Sequence, residues 1–225
     1  MTNTLHRFGD ANSFRDDYVV FAIASRGKNE ENALPKLQKF LELARRFHPV
    51  NLGDARHGGA LRPSKKMNPL SHWKRDRTPD FAAVVAGLDS PTTVAAVFDN
   101  LAAAEDFVKA VKEADLGLSI NISTSIAGAE QCCDSAGICR HSVGYSLGFE
   151  GKTEHLPNED VLKLATMCGH GMVSASLAKK MIDWVKEGRR TPEQAVSYLA
   201  RFCSCGVFNP SRGKRILEEA RTRTK

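Results

Sequence analysis

Short apolar runs alternate with amphipathic segments in the first half of the chain. Residues 18–24 (YVVFAIA), 81–88 (FAAVVAGL) and 118–123 (LSINIS) are short, mostly apolar runs, which predicts three buried strands. Residues 34–47 carry apolar side chains at helical spacing, and Ser90-Pro91 is a helix start that leads to about Ala114. The order β-α-β-α-β predicts an α/β fold whose layer of strands is mainly parallel.

From Ser125 onward the pattern changes to helices separated by glycine-containing loops. Thr191-Pro192-Glu193-Gln194 combines an N-cap residue, a proline at the first helical position and a capping-box glutamine. Residues 1–124 are therefore predicted to form an α/β domain, and residues 125–225 a helical region that could be continuous with it. The predicted helices of this region cover residues 158–165, 173–186 and 191–202, and a last helix runs from Pro210 or Ser211 to about Arg223.

The composition places limits on the class of protein. A chain of 225 residues can bury a core without disulfides, and its first 17 residues lack the basic-then-apolar layout of a secretory signal. No apolar run reaches the length that a membrane span needs. We therefore expect a cytoplasmic protein with no membrane partner, whose thiols are kept reduced and available for metal or redox chemistry.

The net charge of +6 is concentrated in one segment. Residues 54–78 hold seven lysines and arginines against two aspartates, together with glycines and prolines typical of a long loop. Such a loop could attract an anionic substrate, a nucleic acid or an acidic partner, although a solvated surface loop explains the charge equally well.

All six cysteines lie in the last 94 residues, near the boundaries of predicted elements. The pair Cys132-Cys133 and Cys139 follow the third predicted strand in what reads as an exposed turn. Cys168 precedes a helix, where free backbone N–H groups favour a thiolate, and the glycines beside it would let a cofactor approach. This clustering predicts a metal site with ligands drawn from Cys132, Cys133, Cys139, Cys168, Cys203 and Cys205.

The cysteine spacing favours an iron–sulfur cluster, of the 4Fe-4S type, over zinc. The chain contains no Cys-x-x-Cys knuckle of the kind that structural zinc sites use. A cluster is larger than one ion and can be held by dispersed thiolates. Cys139, Cys168, one of the pair Cys132/Cys133 and one of Cys203/Cys205 would supply four ligands. Three ligands would leave one iron open, while zinc, thiol–disulfide chemistry and inert buried thiols remain alternatives.

Polar residues near these cysteines are candidates for chemistry. His141 and His170 each lie two residues after a cysteine and could act as catalytic acid or base. Arg140, Tyr145 and Asn209 could bind and orient a substrate, although turn and cap chemistry is the simpler explanation for Asn209.

These features predict an iron–sulfur enzyme that acts on a small anionic molecule by lyase, desulfurising or redox chemistry. As an oxidoreductase it could have an electron-transfer partner. One alternative is a thiol–disulfide oxidoreductase or redox sensor. Another is a nucleic-acid-binding module with a structural metal, which is disfavoured because Trp73 alone offers a stacking surface in the basic segment.

Overall fold

A five-stranded sheet forms the centre of the protein, which is described by a computed structural model over residues 5–62 and 79–223. Strand β1 is buried along its whole length, as its continuous apolar sequence predicts. The strands are β1 (Tyr18–Ile23), β2 (Asn51–Asp54), β3 (Gly58–Gly59), β4 (Val94–Phe98) and β5 (Ser119–Ser123).

The predicted parallel layer is wrong, because every strand pair in this sheet is antiparallel. The strand order is β3-β2-β4-β1-β5, with β1 paired to both β4 and β5. Helix α1 (Ala33–Arg45) connects β1 to β2, and helix α3 (Leu101–Ala114) connects β4 to β5. Without the short β3 and the six-residue helix Phe81–Ala86, the elements follow the β-α-β-β-α-β order of split βαβ units. Helix α1 joins β1 to β2 across β4, and helix α3 joins β4 to β5 across β1. The two strands joined by each helix are therefore not neighbours in the sheet.

Two apolar segments of the first half adopt the opposite structure to the one predicted. Helix α2 (Phe81–Ala86) replaces the second predicted strand and begins where the Asp80 side chain accepts a hydrogen bond from the Ala83 backbone N–H. The predicted helix at residues 90–114 contains strand β4 instead in its first part. Asn100 separates the two by capping α3 at the Ala103 N–H. Runs this short do not distinguish a buried strand from a buried helix.

Each face of the sheet carries its own hydrophobic core, because successive side chains of a strand point to opposite faces. Val20 and Ala22 of β1 pack with α1, α2 and α3 on one face, which we call the α3 face. Val19 and Phe21 pack on the other face against the C-terminal helices. The core on this second face therefore includes residues from both halves of the chain.

Four of the remaining helices lie near their predicted positions, and a fifth, at Ile126–Ser135, replaces a predicted turn. The capping box at Thr191 and Gln194 is present at the start of one of them. No helix in the described ranges has the length and apolar content needed to cross a bilayer. The helices are α4 (Ile126–Ser135), α5 (Glu159–Ala165), α6 (Ala175–Lys186), α7 (Pro192–Ala200) and α8 (Pro210–Thr222).

The basic segment is only partly described. Residues 63–78 lie outside the described residues, and with them most of the charge predicted to attract a partner. Its first part forms the β2–β3 hairpin, which pairs Gly53 with Gly59 and Asp54 with Gly58. The sequence predicts a loop at Gly58 and Gly59, but they form strand β3 and pack closely against the backbone of β2.

Candidate metal centre

Two interhelical loops bring cysteines together on the second face of the sheet. Cys168 and His170 lie in the loop between α5 and α6, and Cys203 and Cys205 lie between α7 and α8. The three cysteine side chains among these are buried, whereas the His170 side chain is exposed. The loops meet because their flanking helices pack in the same core.

The ligand atoms of this group lie at the distances expected around one metal ion. Those of Cys168, His170 and Cys205 all lie within 4.8 Å of one another. The sulfur of Cys205 lies 3.3 Å from Nδ1 of His170 and 3.8 Å from the sulfur of Cys203. With bonds of about 2.3 Å to sulfur and about 2.0 Å to nitrogen, a tetrahedral ion separates two sulfurs by roughly 3.8 Å and a sulfur and a nitrogen by roughly 3.5 Å. The Cys168–His170–Cys205 group can therefore hold a metal ion.

Cys203 lies beside this group, with its sulfur 3.8 Å from that of Cys205, and is the cysteine of the two loops most favourable to a negative charge. Hydrogen bonds from the thiols of Cys168 and Cys205 lower the pKa of Cys203 well below its ordinary value, against the opposing effect of burial. Its sulfur also accepts the backbone N–H of Phe208 at 3.3 Å. Backbone N–H groups directed at sulfur stabilise a thiolate and orient it as a ligand.

The other two thiols hold their protons more tightly. The hydrogen bond with Cys203 and burial raise the pKa of Cys168 to about 11. Contacts with Cys168 and Cys203, together with burial, raise the pKa of Cys205. A bound cation would lower the pKa of both thiols, because metal ligation requires thiolates.

Close backbone packing fixes the position of the second loop. Gly206, next to Cys205, has a φ of +74°, and a Cβ atom there would lie 2.5 Å from the Cα of Gly53. The same Cβ atom would lie 3.0 Å from the Cα of Gly59 in the hairpin. Three glycines thus allow the Cys203–Cys205 loop to pack directly on the β2–β3 hairpin.

A buried charge network lies beside the cysteines. The Asp17 carboxylate pairs with both Arg7 and Arg212, and all three side chains are almost fully inaccessible to solvent. Burial and the charge of Arg212 lower the pKa of Arg7, whereas the charges of Cys168 and Cys205 raise it. Arg7 is therefore close enough to the cysteine group to interact electrostatically with its thiolates.

The other predicted metal ligands do not join this group. Cys132 packs in the core of the α3 face, where burial raises its pKa to about 12. It lies in helix α4 and not in the exposed turn predicted from sequence, because the Ser125 hydroxyl caps that helix at the Gly128 N–H. Cys133 and Cys139 line a cavity beside β5.

The predicted catalytic and substrate-binding residues are divided between three places. His170 belongs to the cysteine group. His141, Arg140 and Tyr145 line the same cavity as Cys133 and Cys139, and Arg140 pairs with Glu130 at 2.7 Å. Asn209 is buried and caps α8, and its amide donates to the Asp17 carboxylate. The side chain of Asn209 therefore forms hydrogen bonds within the protein, at the helix cap and with Asp17.

Sequence reasoning missed Arg7, Asp17 and Arg212. Charged residues are mostly exposed, and nothing in their local sequence distinguishes these three from surface residues. Their burial follows from the packing of the N-terminal segment between the sheet and α8, where Arg212 donates to the Phe8 carbonyl and the Ser13 hydroxyl.

No known family model, curated protein or solved structure matches this chain.

Proposed function

We propose that this protein is a metal-binding protein with one zinc ion held by Cys168, His170, Cys203 and Cys205. The observation that carries the proposal is the mutual distance of at most 4.8 Å between the ligand atoms of Cys168, His170 and Cys205. In a cubane cluster each cysteine binds a different iron, so its thiolates stand farther apart than the ligands of one ion.

The role of the ion is structural. A complete set of three thiolates and one imidazole leaves no open position for a substrate, which is typical of structural zinc sites. The ion joins the α5–α6 loop to the α7–α8 loop, whose Gly206 packs on the β2–β3 hairpin. Metal binding therefore stabilises the attachment of the C-terminal helices to the sheet.

The test is metal analysis of the full chain purified without added metal or chelator. We expect about one zinc per chain and no acid-labile sulfide. Replacing zinc with cobalt should give the visible and near-ultraviolet bands of a tetrahedral, thiolate-ligated ion. Cys203→Ser should shift these bands, while Cys139→Ser, which changes an exposed cysteine outside the group, should leave them unchanged.

Two other results would contradict the zinc site. Iron with sulfide would instead support the predicted iron–sulfur enzyme, which stays a prediction. Protein with no bound metal and a Cys203–Cys205 disulfide would support the thiol–disulfide alternative.

A further inference from the structure

Strand β5 is an open edge of the sheet. It pairs with β1 on one side, and no segment of the described ranges pairs with its other side. The opposite edge strand, β3, is only two residues long and packs against Gly206. Native edge strands are commonly protected by lysine, proline or a bulge, and β5 (SINIS) contains neither lysine nor proline. The outward backbone groups of β5 are therefore suited to pairing with another strand.

No packed element occupies the space that a further strand would take. A cavity of about 1150 Å³ runs along β5 and is lined by every residue of this strand. Its outer wall includes residues 138–146, which belong to a loop that is exposed at every position from Gly137 to Leu156. A segment with so few buried side chains is displaced at little cost in free energy. Arg7 donates to the Ser123 carbonyl, whose second lone pair can accept a hydrogen bond from a pairing strand.

The sequence of β5 is complementary to itself. Ser119-Ile120-Asn121-Ile122-Ser123 reads the same in both directions. Two copies of β5 that pair antiparallel about a twofold axis at Asn121 therefore place every residue opposite one of its own type. The isoleucines meet on the α3 face, and the serines and asparagines meet on the second face. This register pairs all five residues and brings no like charges into opposition, which favours antiparallel pairing.

Exposed apolar side chains lie beside this edge. Ile126, Ile138, Val143 and Tyr145 all line the cavity along β5, and their exposed fractions range from 38% to 68%. They make up half of the eight large apolar side chains that are exposed in the described residues. We call these four residues the edge patch. A concentration of exposed apolar side chains at one surface is typical of an interaction site.

The edge patch supplies apolar area that a strand pair lacks. Each partner in a stable interface buries about 600–1,000 Å², which is more than a strand of five residues offers. Tyr145, at 68% exposure, adds roughly 100–170 Å². The three aliphatic members of the patch add roughly 30–70 Å² each. We therefore expect an interface near the lower end of this range.

We propose that this protein forms a symmetric dimer in which β5 pairs with β5 of a second copy. The two five-stranded sheets become one continuous antiparallel sheet, with Asn121 on the twofold axis. The edge patches of both copies are covered by the contact, which is the self-complementary kind that a twofold axis requires. None of the four proposed zinc ligands lines this edge, so the dimer does not depend on the zinc site.

Sedimentation equilibrium of the full wild-type chain is the first test. We expect a species of twice the chain mass of 24.6 kDa. For an interface of this size, the dissociation constant should lie at about 1–100 μM.

A matched pair of cysteine variants tests the register. Both carry Cys133→Ser and Cys139→Ser, which remove the two native thiols that line the cavity. In the proposed dimer, the Cβ atoms of residue 121 and its copy lie about 4.5–5.5 Å apart, close to the separation that a disulfide bridges. Residue 119 lies about 14 Å along the strand from its own copy. Glutathione disulfide should therefore join Asn121→Cys chains into a covalent dimer at least about tenfold faster than Ser119→Cys chains.

A second pairing in the same register covers the case in which Asn121→Cys does not fold. The double variant Ser119→Cys, Ser123→Cys then replaces it, because residue 119 of one copy lies opposite residue 123 of the other. Ser119→Cys alone remains the control, since it has no cysteine opposite it.

The proposal is overturned if the wild-type chain remains a monomer up to about 100 μM. That result would leave β5 open to a strand of a different protein. Equal rates of covalent dimer formation in a variant and its control would also overturn the proposal, because the copies would then meet by another surface.

Discussion

The sulfur of Cys205 lies 3.3 Å from Nδ1 of His170, although 35 positions of sequence separate the two residues. Cys205 belongs to a tight loop held against a β-hairpin, whereas His170 belongs to an exposed loop between two other helices. The pairing therefore depends on how the C-terminal helices pack together, and a shared metal ion would stabilise that packing.

His170→Ala should weaken zinc binding by more than the roughly 10- to 100-fold that loss of an outer-shell partner costs. The reason is that it removes a direct ligand and opens the site to water. His141→Ala changes a histidine that lines the β5 cavity and should leave zinc affinity unchanged. Competition with a zinc-binding dye measures both variants, and equal affinities would remove His170 from the ligand set.

Gly206→Ala should destabilise the protein more than Gly188→Ala. Both glycines have positive φ values, +74° and +69°, so either alanine pays a backbone strain of roughly 1–2 kcal/mol. At Gly188 a Cβ atom would meet nothing within 4 Å, whereas at Gly206 it would lie 2.5 Å from the Gly53 backbone. Urea denaturation measures the difference between the two variants, which isolates the steric contribution. Equal losses would mean that the hairpin can move away from the loop.

Asp17→Asn should cost about 3–5 kcal/mol of unfolding free energy, because it leaves two buried guanidinium groups without their carboxylate. Asp16→Asn is the matched control. Asp16 pairs with Arg215 at a partly exposed position, where solvent screens the charges, so its loss should cost less. Chemical denaturation at neutral pH compares them. A larger cost at Asp16 would contradict the assignment of Asp17 as the central charge.

Cys132 should make the wild-type protein sensitive to alkali. Burial raises its pKa from 9.0 to about 12, so below pH 9 the folded and unfolded states both hold the proton. As the pH rises above 9, the unfolded state releases its proton first and unfolding becomes more favourable. At about pH 10 this effect should cost the wild type about 1 kcal/mol that Cys132→Ala does not lose.

The measurement for Cys132 is the pH dependence of unfolding free energy in both proteins between about pH 8 and pH 10.5. Lysines and tyrosines titrate in both, so the difference between the two curves belongs to Cys132. Parallel curves would show that the thiol is not protected from ionisation in the folded state.

The local elements were predictable from sequence where the periodicity was long or a cap was clear. Strands β1 and β5, helix α1 and the Thr191 capping box lie where their patterns indicate. Residues 81–86 were predicted as a strand and form a helix, whereas residues 94–98 were predicted as a helix and form a strand. A short buried apolar run has the same composition in either structure. The prediction of a parallel sheet depended on the β-α-β-α-β order, which these two wrong assignments produced.

The sequence indicated the type of candidate site, but not which cysteines belong to it. The concentration of cysteines in the last 94 residues correctly indicated that a group there can hold a metal ion, with Cys168 and Cys205 in it. Cys132 has the same residue type and a similar setting in sequence, yet it packs in the core of the opposite face. No local pattern separates a ligand from a buried thiol.

The sequence by itself determined the helix start at the Thr191 capping box, which strand is buried throughout and where thiols are concentrated. The tertiary structure alone decided the antiparallel strand order, the burial of Arg7 and Arg212 beside Asp17, and the meeting of His170 with Cys205. Periodicity and caps act over a few neighbouring residues, whereas these arrangements depend on which surfaces bury one another across the whole chain.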